Sequence, residues 1–130
     1  MTGLEKAETA ASYKRNGVCN CCQAVTSVYA EETGLSSEVL SQITSGFAAG
    51  MGCMEATCGA LIGADIIAGL KSGGRGTVRL SRELLALFKE KCGATICKDL
   101  KGIESGKVLC ECDQCVKNAV LALEEVLSRA

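Results

Sequence analysis

The chain has 130 residues, a formal net charge of −1 and ten cysteines, but no histidine, tryptophan or proline. Because histidine is missing, the sequence excludes Cys/His zinc fingers, Cys–His nucleophile pairs and histidine-ligated haem. The roles that remain for its thiols are iron–sulfur ligation, an all-thiolate metal site, dithiol–disulfide exchange and structural disulfide bridges. Apolar residues make up 48% and aromatic residues only 3%. This composition is typical of closely packed helices, and the length predicts one cysteine-rich helical domain over residues 1–130.

Periodicity and capping residues predict an all-α fold, a single compact bundle of about five to six helices. The predicted helices cover Thr2 to Lys14, Asn20 to Gly34, Ser36 to Phe47, Glu55 to Leu70, Val78 to Lys91, and a last helix that begins at Asp113. Asn20 is a good N-cap and Gly34 a good C-terminal stop. In the helix from Val78, the residues Leu84, Leu85 and Phe88 are expected to face inward.

The charge pattern argues against nucleic-acid and membrane partners. Five lysines lie between positions 89 and 107, but acidic residues are interleaved with them, which indicates a solvated face. The longest apolar run, 56–70, is too short for a membrane span and contains Asp65. No basic-then-apolar signal segment opens the chain. The expected location is therefore the reducing cytoplasm, where many cysteines indicate metal or redox chemistry.

The cysteines fall into four groups along the chain. The groups are Cys19, Cys21 and Cys22; Cys53 and Cys58; Cys92 and Cys97; and Cys110, Cys112 and Cys115. Cys22, Cys58 and Cys115 lie in the opening turns of predicted helices, where the helix dipole favours thiolate and lowers the cysteine pKa. These three, together with Cys112, share helical spacing with core residues. The sequence therefore predicts one or more thiolate clusters that face the bundle interior near helix starts.

One predicted helix has a bare flank. Gly59 and Gly63 are four residues apart, as are Ala60 and Ala64. The flank gives room beside Cys58 either for a cofactor or for the close approach of another helix, and both interpretations stay open. Such a flank in an aromatic-poor bundle is also compatible with a homodimer.

Several segments resemble the C_GCAxxG_C_C family, small redox proteins of bacteria and archaea that are named for spaced cysteines and a CGAxxG motif. The matching segments are Asn20 to Val25, Gly50 to Cys53, Thr57 to Gly63, Cys97 with Leu100, and Cys115 with Val116, within about Asn16 to Leu127. The resemblance implies a redox or cluster-binding set formed by Cys22, Cys58, Cys97 and Cys115. A similar domain occurs in split-Soret cytochromes, where it is associated with an iron–sulfur cluster. Their haem cannot be carried here, because the chain lacks the histidine of a CxxCH site.

Six cysteines lie outside this four-cysteine pattern. They could support a second cluster or a resolving disulfide, and both possibilities stay open. They are Cys19, Cys21, Cys53, Cys92, Cys110 and Cys112. The leading interpretation is an iron–sulfur protein with a 2Fe-2S or 4Fe-4S cluster, which acts in electron transfer or redox sensing with an unknown redox partner protein. One alternative is a metal-free thiol–disulfide protein that uses Cys112 and Cys115, and another is a structural all-cysteine zinc site. Hydrolytic and group-transfer enzymes are disfavoured, because no histidine base is present.

Overall fold

The computed structural model describes residues 1–129, and these residues form an all-α architecture with eight α-helices and no β-strand. The helices are α1 (Gly3–Arg15), α2 (Cys21–Ser27), α3 (Ala30–Thr33), α4 (Ser37–Thr44), α5 (Gly59–Ser72), α6 (Thr77–Cys92), α7 (Cys97–Lys101) and α8 (Cys112–Arg129). A 3₁₀ turn (Ser45–Phe47) and a π-helical turn (Gly50–Met54) lie between α4 and α5. The predicted fold class is confirmed, and the number of helices is higher than the five to six expected.

The larger number arises partly because the helix predicted from Asn20 to Gly34 is divided in two. Tyr29 leaves the helical conformation, with φ −111° and ψ 4°, so that α2 ends before it and α3 begins after it. Its buried side chain reaches α8, where the hydroxyl donates a hydrogen bond of 2.7 Å to the carboxylate of Glu124. This tertiary contact explains why local periodicity overestimates the helix.

The start of α5 also differs from the prediction, because the helix begins at Gly59 and not near Glu55. The backbone N–H of Cys58 donates to the carbonyl of Thr95 at 2.8 Å, and the N–H of Cys97 donates to the carbonyl of Ala56 at 3.0 Å. These bonds hold the segment before α5 extended against the segment before α7. Cys58 is therefore the N-cap of α5 rather than a residue of its first turn.

Helix α8 is the centre of the packing, since it contacts α1, α2, α5 and α6. Leu84 and Phe88 of α6 are fully buried, as predicted. Leu85 is 45% exposed, so its predicted inward orientation is wrong. The next residue of a helix points about 100° away, and the buried face of α6 is too narrow to include both leucines. Among the described residues, none of the helices is long and apolar enough to cross a membrane.

The bare flank of α5 packs closely against α2. A Cβ atom at Gly63 would lie 2.8 Å from the carbonyl oxygen of Cys22, and one at Gly59 would lie 2.6 Å from the Sγ atom of Cys21. Real Cβ atoms do not approach other atoms so closely. The two glycines therefore allow the helices to come together, and they bring the sulfur atoms of α2 next to the start of α5.

Candidate metal centre

Five cysteines line one cavity of about 190 Å³ near the starts of several helices. They are Cys21, Cys58, Cys97, Cys112 and Cys115. The other lining residues are Lys14, Ala48, Ala49, Met54, Gly59 and Lys101. A water molecule takes about 30 Å³ in the liquid, so the cavity has room for a group of several atoms.

Each of these thiols is placed by the beginning of a helix. Cys21 is the first residue of α2, and the Asn20 side chain caps this helix by accepting a hydrogen bond of 2.8 Å from the N–H of Gln23. Cys97 and Cys112 are the first residues of α7 and α8, and Cys58 is the N-cap of α5. Four chain segments that are far apart in the sequence therefore meet at one point.

One wall of the cavity is a loop with left-handed backbone. Ala49, Met51 and Met54 have φ values of 50°, 61° and 67°, which cost non-glycine residues conformational energy. A Cβ atom at Gly50 would lie 2.8 Å from the Cβ atom of Cys97, and the Sγ of Cys97 is 3.7 Å from the Sδ of Met54. The loop therefore packs directly on Cys97 and closes this side of the cavity.

Lys101 places a positive charge beside the thiols. Its Nζ atom donates to the Sγ of Cys115 at 3.5 Å and to the carbonyl oxygen of Cys110 at 3.1 Å. Burial lowers the pKa of Lys101, but attraction to the sulfur atoms of Cys115 and Cys112 outweighs it and holds this pKa above its usual value. Lys101 therefore stays cationic and offsets negative charge that develops on the sulfur atoms.

Several thiols at or next to the cavity have a pKa above the usual value. Burial raises the pKa of Cys21 and of Cys97, and it raises the pKa of Cys22 to about 12. Interaction with Cys115, followed by burial, raises the pKa of Cys58. The expectation that helix starts lower the pKa is wrong for Cys22 and Cys58, because desolvation and neighbouring sulfur outweigh the helix end. Metal binding must therefore displace protons.

A second group of sulfur atoms lies next to the cavity. The Sγ atoms of Cys92, Cys110 and Cys115 are all within 4.8 Å of one another, and all three residues are buried. Cys92 is the last residue of α6, and Cys110 lies just before α8. The Nδ2 atom of Asn118 is 3.4 Å from the Sγ of Cys92 and 3.9 Å from the Sγ of Cys110. Cys115 belongs both to this group and to the cavity, and the group could hold a metal ion.

A comparison with protein-family models identifies the family of this sulfur-rich bundle. The model described as "Putative redox-active protein (C_GCAxxG_C_C)" matches residues 19–126. The chain belongs to the C_GCAxxG_C_C family. All ten cysteines of this family member lie within the matched residues, and all are free thiols in the structure. Searches of curated proteins and of solved structures found no match.

Of the four cysteines expected as ligands in this C_GCAxxG_C_C protein, Cys58, Cys97 and Cys115 line the cavity. Cys22 is fully buried but is not a lining residue, whereas its neighbour Cys21 is. Coordination by the expected four stays a prediction. The N-cap at Asn20, which makes Cys21 the first helical residue, was the sequence signal that could have directed attention to Cys21.

The remaining cysteines of the chain lie in other surroundings. Cys19 lines a separate, mostly apolar pocket together with Tyr13 and Leu40. Cys53 is exposed on the loop beside the cavity, and its thiol donates a hydrogen bond of 3.4 Å to the carbonyl of Gly50. The sequence carried no signal that joins Cys92 to Cys110, because helix α7 and a loop separate them.

Proposed function

We propose that this protein binds an iron–sulfur cluster in the cavity and acts in electron transfer or redox sensing. Cys21, Cys58, Cys97 and Cys112 are the proposed ligands. The observation that carries the proposal is the convergence of five thiols on one cavity whose lining residues include no carboxylate. Iron–sulfur clusters are held by four cysteine thiolates, and thiolates select soft metals and such clusters.

The choice of these four rests on the cavity that all of them line. Burial raises the pKa of Cys97, and interaction with Cys58, Cys21 and Cys112 raises it further, against a lowering by Lys101. Cys115 is the fifth lining thiol, and it is also engaged with Cys92 and Cys110. Cys21 replaces Cys22 of the sequence-based set because only Cys21 lines the cavity.

The surroundings fit the charge and the reactivity of such a group. When bound, the cluster supplies a reversible one-electron couple. Lys14 and Lys101 line the same cavity and bring positive charge toward its thiolates. Ala48, Ala49 and Met54 supply an apolar wall on one side of the cavity.

The experiment is iron and acid-labile sulfide analysis, with an absorption spectrum, on protein purified without exposure to air. We expect brown protein that contains both elements. Cys21→Ala and Cys112→Ala should lose most of the iron, whereas the matched variants Cys22→Ala and Cys53→Ala should keep it. Protein that stays colourless after reconstitution would contradict the cluster. Loss of iron in Cys22→Ala but not in Cys21→Ala would restore the sequence-based ligand set.

A second candidate, dithiol–disulfide exchange, is favoured by one observation. Cys112 and Cys115 line the same cavity one helical turn apart. In this reaction the two thiols would give two electrons and two protons to a partner disulfide and become one disulfide themselves. Thiol titration of metal-free protein should then show a loss of two thiols on oxidation, and the Cys112→Ser variant should show no such pair. An unchanged thiol count in the parent protein would exclude the exchange.

A further inference from the structure

We infer that the chain has a second metal site, separate from the proposed cluster, in which Cys92, Cys110 and Cys115 bind one Cu⁺ ion through three thiolates. The first two of these residues do not line the cavity. Cys115 lies between the two sites and is the one cavity thiol that the proposed cluster leaves unused.

The geometry of the three sulfur atoms is close to that of a trigonal site. Their Sγ atoms lie within 4.8 Å of one another. An ion at the centre of such a triangle would be about 2.8 Å from each sulfur, and metal–thiolate bonds are about 2.3 Å long. Each sulfur atom therefore has to move inward by about 0.5 Å at most, which a small side-chain rotation provides.

The number of ligands and their burial favour Cu⁺. Cys92, Cys110 and Cys115 are 4%, 8% and 0% exposed, so water has little access as a fourth ligand. Within residues 1–129, no carboxylate joins the three thiols as a further ligand. Structural zinc sites are almost always four-coordinate, whereas soft thiolates alone are suited to Cu⁺. Three sulfur ligands in a dry pocket therefore match the monovalent ion better than zinc.

Hydrogen-bond donors are directed at all three sulfur atoms. The Asn118 amide donates to Cys92 and to Cys110, at 3.4 Å and 3.9 Å. The Lys101 ammonium donates to Cys115 at 3.5 Å. Such donors favour thiolate over thiol, and the lysine charge offsets part of the negative charge that three thiolates and Cu⁺ leave. The polar surroundings are therefore those of an anionic sulfur site and not of three isolated core cysteines.

The test is a titration of metal-free protein with Cu⁺ under argon against a competing Cu⁺ chelator. We expect the first equivalent of Cu⁺ to bind tightly at this site, and copper X-ray absorption at one equivalent should show three sulfur neighbours at about 2.3 Å. Cys92→Ala and Cys110→Ala should each weaken this binding by at least about a hundredfold. The matched variants Cys19→Ala and Cys53→Ala, and the cavity variant Cys97→Ala, should keep it. Circular dichroism identifies any variant that fails to fold. Because Cys92→Ala and Cys110→Ala are independent variants, the test stays decisive if one of them does not fold.

Three outcomes would overturn the site. The first is an unchanged Cu⁺ affinity in both Cys92→Ala and Cys110→Ala. The second is loss of tight binding in Cys97→Ala while Cys92→Ala retains it, which would place the ion in the cavity. The third is a Cys92–Cys110 disulfide in protein kept from air. Iron and sulfide content tests the cluster separately, because Cys92→Ala and Cys110→Ala should leave both unchanged. The two proposals can therefore fail independently.

Discussion

The two halves of helix α8 belong to regions of opposite character. At its beginning, Cys112 and Cys115 face the sulfur-lined cavity. Farther along, Glu124 accepts the 2.7 Å hydrogen bond from Tyr29, and Lys6 lies 4.6 Å from the centre of the Tyr29 ring. We call the second region the ionic cluster. Its members are Lys6, Tyr29, Glu32, Lys71 and Glu124.

The ionic cluster is complete within the chain. Glu32 accepts hydrogen bonds from Lys6 at 2.7 Å and from Lys71 at 2.6 Å, and these bonds hold the pKa of Glu32 below its usual value. The sulfur region, in contrast, keeps buried thiols of raised pKa around a space large enough for a further group. One region is therefore completed by its own ion pairs, whereas the other has room and thiols that could hold a metal ion. Four predictions test this contrast, from the largest effect to the smallest.

High pH should destabilise the metal-free protein through its sulfur region. A free thiol has a pKa of 9.0, whereas the pKa of Cys22 is raised to about 12 and those of Cys92 and Cys110 to about 11. Above pH 9 the unfolded chain releases protons that the folded chain retains, so this stability is present below pH 9 and is lost as the pH rises toward 12. Thermal unfolding on both sides of pH 9, compared between the parent protein and Cys22→Ala, measures the contribution of the thiol, because burial also raises the pKa of Tyr29 in the ionic cluster. Cys22→Ala is the control, and its melting temperature should decline less as the pH rises. A melting temperature of the parent protein that does not change with pH would refute the contrast.

Gly59→Ala should damage both the fold and the site. The new methyl group would lie 2.6 Å from the Sγ of Cys21 and would also collide with the backbone of Phe47. Overpacking of this kind costs about 1–3 kcal/mol and should displace a ligand thiol, so the iron content should fall as well. Denaturant unfolding and iron analysis measure the two effects.

Gly69→Ala, in the same helix, is the matched control for Gly59→Ala. The nearest atom to its new methyl group would be the Cγ2 of Thr77 at 3.8 Å, which is ordinary contact. Because alanine is favoured over glycine within a helix, we expect a gain of about 0.5–1 kcal/mol with iron retained. Equal losses of stability and iron in the two variants would show that α5 accepts alanine at neither position. The argument for a specific close approach at Gly59 would then be removed.

Tyr29→Phe should weaken the ionic cluster and leave the sulfur region intact. The variant removes the hydroxyl that donates to Glu124. Loss of a hydrogen bond to a charged group costs about 1.5–3 kcal/mol when buried, and the partial exposure of Glu124 reduces the expected loss to about 1 kcal/mol. Denaturant unfolding gives this value, and iron and sulfide content should not change. Tyr13→Phe is the control, with an expected change below about 0.5 kcal/mol.

Cys53→Ser should have the smallest effect. Cys53 is exposed, and its only described hydrogen bond goes to the carbonyl of Gly50, which a serine hydroxyl can replace. Surface changes of this kind alter stability by less than about 0.5 kcal/mol. Unfolding and metal analysis should therefore match the parent protein. A loss of iron would add Cys53 to the ligand set and would extend the sulfur region beyond the cavity.

The sequence was sufficient for the fold class and for helices whose caps are local. The predicted bounds of α1 and α6 are within one residue of the structure, because glycine and capping residues mark their ends. The predicted helix boundaries were wrong where a long-range contact sets the backbone conformation, which is the case at Tyr29 and in the segment before α5. There the backbone follows a tertiary hydrogen bond rather than the local pattern.

For the site, the sequence indicated inward cysteines at helix starts but could not choose between neighbours. Cys21 and Cys22 differ by about 100° around α2, so the choice depends on where α5 packs. That packing is fixed by the close approach at Gly59 and Gly63, which appears only in three dimensions. The proximity of Cys92 to Cys110 is likewise set by how α6 and α8 pack together, and no local pattern encodes it.

The thiols around the cavity come from α2, α5, α7 and α8, and so from nearly the whole length of the chain. A group bound to all of them would act as a multi-branched cross-link that closes several long loops at once. Such a link lowers the conformational entropy of the unfolded chain, so loading and folding become thermodynamically coupled. With the proposed cluster bound, chains that lose it would therefore unfold more often and be degraded sooner.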